Sequence, residues 1–251
     1  PWVSVGSPAS TLQLADIWGA ADSSSGPHGF ASNGATVAFL AYDDTFNESF
    51  WLTGGEEETT RPVASSAYSC IPWSGRIYPL GDKFAQVGCY GEIQVIDPAS
   101  SQLEIIETGT GNCFASAASG AVGGLLVAAL GCDGGDQIWR SDGSPSGTAP
   151  TLILPPDFHV SWGFDRVADH LVFVGGSLVD RLYALSTSMS SLTAISPPGV
   201  IPDYRIVPDG EPLGFFTHLG LLWRTDATAA GTFALGPTRD SLRLQAAVRS
   251  P

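Results

Sequence analysis

The chain has few basic residues, and this scarcity excludes one class of partner. Its 251 residues contain 11 lysines and arginines against 25 aspartates and glutamates, which gives a formal net charge of −14. Lys83 is the one lysine. A nucleic-acid partner requires a basic stripe that neutralises phosphates, so no such partner is expected.

Helical periodicity and familiar catalytic motifs are also missing from the sequence. With 30 glycines and 18 prolines, long helices are unfavourable. The four histidines (28, 159, 170 and 218) form neither His-x-His nor His-Glu-x-x-His, and no Gly-x-Ser-x-Gly elbow or phosphate-binding glycine loop occurs. These patterns therefore identify no catalytic residue and no cofactor site.

One short phrase recurs along the chain. It reads QIWRSDGSPSGT at residues 137–148 and LLWRTDATAAGT at residues 221–232. Weaker copies align on its aromatic position, which is occupied in order by Trp2, Trp51, Gln94, Trp139, Tyr183 and Trp223. The copies are 40 to 49 residues apart, and a period of this length indicates stacked structural units.

Each unit has the pattern of four β-strands. Two short runs, such as 29–32 and 36–42, precede the aromatic position and flank the turn Asn33-Gly34, which is a hairpin signal. The phrase supplies a third strand, and a further run such as 151–154 follows it. Four strands in about 45 residues predict an all-β protein built from propeller blades.

The register predicts one propeller domain over residues 1–251, with six blades. Five complete blades are expected at roughly 28–64, 68–107, 111–155, 159–196 and 202–236. Residues 1–17 would supply the last two strands of the sixth blade, and 238–251, with the alternating run 242–248, would supply its first strand. Closure by both termini removes exposed sheet edges; a longer parent protein with seven or more blades is the alternative.

The phrase itself has a structural interpretation. A large ring at one place in every blade, as at Trp139, can fill the space between neighbouring sheets. Asp142 and Asp226 follow their strands where an aspartate can accept hydrogen bonds from its own downstream backbone. The alternative is that these aspartates bind metal or substrate.

These repeats resemble those of the bacterial ELWxxDGT-repeat proteins, whose units are usually taken to be propeller blades. The resemblance is specific at 137–148 and 221–232, and it is weaker at 49–60 and elsewhere. The family often has Glu at the first position of the phrase, where this chain has Glu92 once, and Gln137, Arg181 and Leu221 in other copies. The resemblance implies a secreted or surface protein, without a catalytic motif to transfer.

The four cysteines are in phase with the repeat. Cys70 and Cys113 begin the first strands of successive blades, and Cys89 and Cys132 fall near the ends of the second strands. Since these places face each other in an antiparallel hairpin, we expect disulfides Cys70–Cys89 and Cys113–Cys132 and an oxidising compartment. A zinc site made by all four cysteines is the alternative.

The segment from Cys113 to Cys132 carries no charge and is long enough for a membrane helix. The register places it instead on the two inner strands of a blade, and its glycines suit a close-packed hairpin. We therefore expect no membrane-spanning segment.

Two acidic loops occupy equivalent places, at 43–48 and 133–136. Their oxygen ligands could hold calcium, although neither loop follows the EF-hand spacing. Solvated turns are the preferred interpretation, with calcium as the alternative.

Trp73 and Trp162 follow the phrase aromatics Trp51 and Trp139 by 22 and 23 residues. They fall on or near the innermost strands, where a ring could contact a ligand or partner; ordinary packing is the preferred interpretation. Regular blades and structural disulfides favour a non-catalytic extracellular or periplasmic scaffold that binds protein partners, and a subunit of a cell-surface assembly is compatible with this expectation. A secreted carbohydrate-binding protein or hydrolase is the other hypothesis.

Overall fold

The computed structural model describes residues 1–19, 23–64, 76–108, 113–203, 205–208 and 212–238. Within these ranges the chain forms strands and two short 3₁₀ turns, Pro8–Ser10 and Glu57–Thr59. The prediction of an all-β protein is confirmed. None of the described helical segments has the length and apolarity needed to cross a membrane.

The chain divides into two compact units. The first comprises Pro1–Thr108 with Asp142–Pro145, and the second comprises Gly109–Ser141 with Ser146–Pro251.

The first unit contains one short and two four-stranded antiparallel sheets. The short sheet pairs β1 (Trp2–Val3) with β2 (Leu12–Gln13). Sheet I contains β3 (His28–Ser32), β4 (Val37–Tyr42), β5 (Glu48–Thr53) and β6 (Arg61–Pro62). Sheet II contains β7 (Tyr78–Leu80), β8 (Lys83–Val87), β9 (Ile93–Asp97) and β10 (Gln102–Ile106).

The second unit contains three further sets of four antiparallel strands. Sheet III contains β11 (Cys113–Val122), β12 (Leu125–Cys132), β13 (Gln137–Ser141) and β14 (Ala149–Ile153). Sheet IV contains β15 (His159–Val167), β16 (His170–Gly176), β17 (Arg181–Ser186) and β18 (Leu192–Ala194). Sheet V contains β19 (Val207–Pro208), β20 (Gly214–His218), β21 (Leu221–Thr225) and β22 (Phe233–Pro237). A single parallel bridge, Ala118 to Gly163, joins the first strands of sheets III and IV.

Every set is a meander in which each strand pairs with the next along the chain. The predicted strands near the start of the chain are shorter than expected, since β1 and β2 each contain only two residues. The run 242–248, predicted to close the sixth blade, lies outside the described residues.

The uncharged segment forms the predicted hairpin rather than a helix. Strands β11 and β12 meet at Gly123 and Gly124, whose φ angles of 59° and 79° are left-handed. Two successive left-handed residues make the tight turn that matches the twist of a hairpin, and glycine adopts this conformation without a steric cost.

Buried apolar side chains pack one sheet against the next within each unit. In the first unit, Leu40 and Leu52 of sheet I share a cluster with Phe84 and Ile96 of sheet II. In the second, Val174 of sheet IV packs in a cluster with Phe216 of sheet V. Burial of each such side chain contributes about 1.5–3 kcal/mol.

The aromatic position of the phrase lies in the third strand of each sheet, beside the second strand. Its ring stacks on a cross-strand phenylalanine in three sheets, with centroid separations of 6.4 Å for Phe39–Trp51, 5.9 Å for Phe173–Tyr183 and 5.9 Å for Phe216–Trp223. Trp139 is buried opposite Ala128. Trp2 has no second strand beside it in the short sheet, and 66% of its surface is exposed.

A hydroxyl pair closes the turn after the third strand. The residue two positions after the aromatic residue bonds, through its hydroxyl, to a threonine seven residues further on. The four pairs are Ser4–Thr11 at 2.9 Å and Thr53–Thr60, Ser141–Thr148 and Thr225–Thr232 at 2.7 Å. In the last copy the Thr232 hydroxyl donates to the Thr228 carbonyl, and Thr225 Oγ1 accepts the Ala227 N–H. This arrangement satisfies polar groups that the turn would otherwise leave unpaired.

The aspartate of the phrase forms the first part of the same turn. Asp226 Oδ1 accepts hydrogen bonds from the Thr228 hydroxyl and backbone N–H, at 2.6 and 3.0 Å. Asp142 makes the same pair of contacts with Ser144. The pKa of Asp226 is lowered, chiefly by the Thr228 hydroxyl and also by the Thr228 N–H and by Arg224, against an opposing effect of burial.

The structure joins Cys113 to Cys132. These residues are directly paired across β11 and β12, with Cα atoms 4.2 Å apart. The prediction of this disulfide is confirmed, and it leaves no described thiolates for a zinc site in this sheet. The predicted partner of Cys89, Cys70, lies outside the described residues.

Replacement of Thr232 by valine should destabilise the fold. The substitution preserves shape but removes the bonds of a buried hydroxyl to Thr225 and Thr228, which should cost about 1–3 kcal/mol. Urea denaturation measures the change. The matched control is Thr11→Val, at an exposed copy of the same pair, which should cost less than about 0.5 kcal/mol; equal losses would contradict a role for burial.

The Asp226 turn should stabilise the protein in a pH-dependent way. Because its folded pKa lies below the ordinary value of 3.8, its contribution is present above that value and is lost as the pH falls through the lowered pKa. The melting temperature of Asp226→Asn should therefore lie furthest below that of the native chain near neutral pH, and the difference should shrink in acid. Glu57→Gln, at an exposed position, is the control for general loss of charge; a constant difference for Asp226→Asn would contradict the prediction.

Candidate interaction surface

The turns between the second and third strands lie at equivalent places in the five sheets, and we call them the second turns. They comprise residues 43–47, 88–92, 133–136, 177–180 and 219–220. Four of them expose a large apolar side chain, with exposed fractions of 75% for Phe46, 63% for Tyr90, 98% for Leu178 and 82% for Leu219. The recurrence at one structural position distinguishes these residues from apolar side chains exposed singly.

Two of these residues also have a strained backbone. Phe46 and Leu219 adopt left-handed φ angles of 61° and 49°. This conformation costs a bulky residue roughly 1–2 kcal/mol, whereas glycine or asparagine adopts it readily. Neither the solvent exposure nor the backbone conformation of these positions therefore explains why a bulky apolar residue is present at Phe46 and Leu219. Residues with a strained backbone cluster at functional sites.

Tyr90 is presented by a buried polar network. The Glu92 carboxylate, itself buried, accepts the Tyr90 N–H at 3.0 Å and the Gln94 amide at 2.9 Å. The Gln86 amide in turn donates to Gln94 Oε1 at 2.9 Å. Gln86 and Gln94 occupy the positions that the stacked rings occupy in other sheets. In sheet II a hydrogen-bond network that holds the Tyr90 turn therefore takes the place of the ring pair.

Phe46 lies in the turn before β5, the strand that begins at Glu48 and contributes this residue to a second hydrogen-bonded group. Its ring contacts Trp18 edge to face at 4.7 Å. At the same end of sheet I, Glu48 Oε1 lies 3.1 Å from His28 Nε2, and Glu48 also accepts the Tyr42 hydroxyl. That hydrogen bond, together with the negative charge of Glu48, raises the pKa of Tyr42. The group links the first three strands of the sheet.

The acidic loops use their carboxylates within the protein. Asp43 Oδ1 accepts the Thr45 hydroxyl at 2.6 Å and the N–H groups of Thr45 and Asn47. Asp136 accepts the Val160 N–H and lies 3.5 Å from His159 Nδ1. Among the described residues, no group of three or more His, Cys, Asp or Glu side chains is arranged to hold a metal ion.

Trp162 lies beside a shallow depression of the second unit. The depression has a volume of about 740 Å³, and its walls include Trp162, Ile201, Pro202, Asp203, His218 and Leu219. Trp162 is half-buried against the cluster shared by sheets IV and V. Trp73, the other ring considered for contact with a partner, lies outside the described residues.

The second-turn residues were not identified by sequence reasoning. A signal exists in two cases, because Leu219 precedes Gly220 and Phe46 stands between Thr45 and Asn47, where polar turn residues are usual. Tyr90 between Cys89 and Gly91 is similar. A large apolar residue at the tip of a hairpin is thus the pattern to search for.

Comparison with known proteins bears on the fold. No family model matches the chain, and no curated protein matches it by sequence. A chain in the crystal structure of a nidogen/laminin complex matches with a TM-score of 0.52 and 12% identity over 92% of this chain and 84% of that one.

Two further structures match over less of their own length. BamB from Moraxella catarrhalis matches with a TM-score of 0.50 and 14% identity, over 89% of this chain and 65% of BamB. A chain from a study of two prolyl endopeptidases matches with a TM-score of 0.57 and 12% identity, over 93% of this chain and 36% of that one. The present chain thus spans less than two thirds of these two proteins. At such identities the likeness shows the fold alone, which is all-β and propeller-like.

Proposed function

We propose that the chain is a non-catalytic extracellular or periplasmic β-propeller that binds a protein partner through its second turns. The observation that carries this proposal is the conformation of Phe46 and Leu219, which are bulky, exposed and left-handed. A fold selected for stability alone would favour asparagine or glycine at both positions.

The proposed architecture is a closed propeller of six four-stranded blades, the sixth completed by both ends of the chain. In such a ring the second turns of all blades open on the same face. The exposed rings and leucines would then form one surface, and tyrosine and other large side chains are the residues that anchor protein interfaces.

Two further observations support the location and the class of partner. The Cys113–Cys132 disulfide favours an oxidising compartment. One of the matching structures is that of a nidogen/laminin complex. We also propose that the repeats are of the ELWxxDGT type; the hydroxyl pair that recurs with the phrase supports a common structural unit.

The test is Leu219→Asn, which separates stability from binding. Asparagine tolerates the left-handed turn, so the variant should unfold at the same or a higher urea concentration, with a gain of up to about 1 kcal/mol. Cross-linking with a carboxylate-directed reagent in the native source measures binding, since the chain has one lysine. The cross-linked partner should be lost from Leu219→Asn and from Phe46→Asn.

The matched controls are Val5→Asn and Leu235→Asn, which remove exposed apolar side chains away from the second turns. They should retain the cross-linked partner. Retention by the second-turn variants, or equal loss in the controls, would show that the second turns do not form the binding surface.

A further inference from the structure

We infer that the depression beside Leu219 binds a cationic and apolar segment of the partner, in which an arginine or lysine stands beside leucine-like side chains. This inference rests on the proposed function and names the chemistry of its partner. It concerns only the second unit, where sheets IV and V and the connection between them line the depression.

The apolar part of the site is continuous. Trp162 and Ile201 lie in the depression, and Leu219 projects at its margin with 82% of its surface exposed. On the side of sheet IV, the Val179 side chain lies beside Gly199, which also lines the depression. Val179 and its neighbour Leu178 are both exposed, so the apolar surface runs from one second turn toward the other.

The charged part of the site is acidic. Asp203 lines the depression, where its Oδ1 accepts only a long 3.3 Å hydrogen bond from the Leu219 N–H. Asp180 accepts the Ser161 hydroxyl at 2.9 Å, and its carbonyl accepts the Gly199 N–H at 2.8 Å, which places it next to the depression. Within the described part of the chain, neither carboxylate is paired with a cation.

Charge complementarity selects the occupant. Among the described residues, no lysine or arginine lines the depression, and its one histidine, His218, has its ring against Trp223. A partner carboxylate would meet Asp203 and Asp180 as like charges. An arginine or lysine would pair with them instead, while its aliphatic stem and neighbouring leucines covered Trp162 and Leu219. A purely apolar segment would leave the Asp203 carboxylate desolvated without a partner.

Three labelled synthetic peptides test this chemistry by fluorescence anisotropy at physiological salt. One combines arginine with leucine, one glutamate with leucine and one arginine with serine. The arginine–leucine peptide should bind at least about tenfold more tightly than either of the others. Equal binding of the glutamate–leucine peptide would overturn the assignment of a cationic partner.

Variants locate the binding. Asp203→Asn keeps an acceptor for the Leu219 N–H but removes the charge, and it should weaken binding about tenfold; Leu219→Asn should do the same. Glu57→Gln and Val5→Asn, which change charge or exposed apolar surface in the first unit, should have no effect. A similar loss in Glu57→Gln would mean that the peptide responds to the general negative charge, and the site would be wrong.

The outcomes also separate this inference from the proposed function. If no peptide binds while Leu219→Asn still loses the cross-linked partner, the partner chemistry is wrong and the role of the second turns stands. If the arginine–leucine peptide binds through Asp203 while the second-turn variants keep their cross-linked partner, the depression is a cationic site and the proposed function fails.

Discussion

The hydroxyl pair after the third strand is the constraint that closes the last turn of sheets I, III and V. A meander of four strands needs its last turn closed at a fixed length, and the Thr225–Thr232 bond does this by joining the end of the third strand to the start of the fourth. The same pair is present at Ser4–Thr11, where Trp2 stacks on no second strand among the described residues. The turn therefore does not depend on the ring. The hydroxyl groups of the phrase are used in hydrogen bonds within this turn. The most recognisable part of the sequence therefore has a structural role.

Periodicity accounts for what the sequence predicts well. Strand order, the β11–β12 hairpin and the Cys113–Cys132 pair all follow from one repeating register, since residues in phase occupy equivalent places in successive sheets. A one-residue slip would move every side chain to the opposite face, so the aligned aromatics also fix which residues are buried. The closing strand expected at 242–248 and the Cys70–Cys89 pair remain predictions.

Departures from the repeat could not be predicted in the same way. Gln94 is recognisable as a missing ring, but its partners Gln86 and Glu92 become a network only when the fold brings β8 and β9 together. The left-handed backbone at Phe46 and Leu219 likewise cannot be predicted from the sequence pattern, because turn propensities disfavour a bulky residue at such a position. Local propensity and the native conformation disagree here, and such disagreement is expected at functional positions.

The distribution of polar groups explains why binding is assigned to the turns and not to the phrase. In the turn after the third strand, hydroxyls and carboxylates such as those of Thr232 and Asp226 are satisfied by nearby backbone or side-chain groups, so a partner would have to compete with those bonds. Beside the second turn of sheet V the situation differs, because Leu219 is exposed on a left-handed backbone, and Asp203, in the connection between sheets IV and V, pairs with no cation among the described residues. A partner that covers Leu219 and pairs with Asp203 removes unfavourable exposure and adds a charge contact without disturbing the sheets. The repeat thus supplies the frame, and the proposed binding surface lies at positions that depart from the repeat.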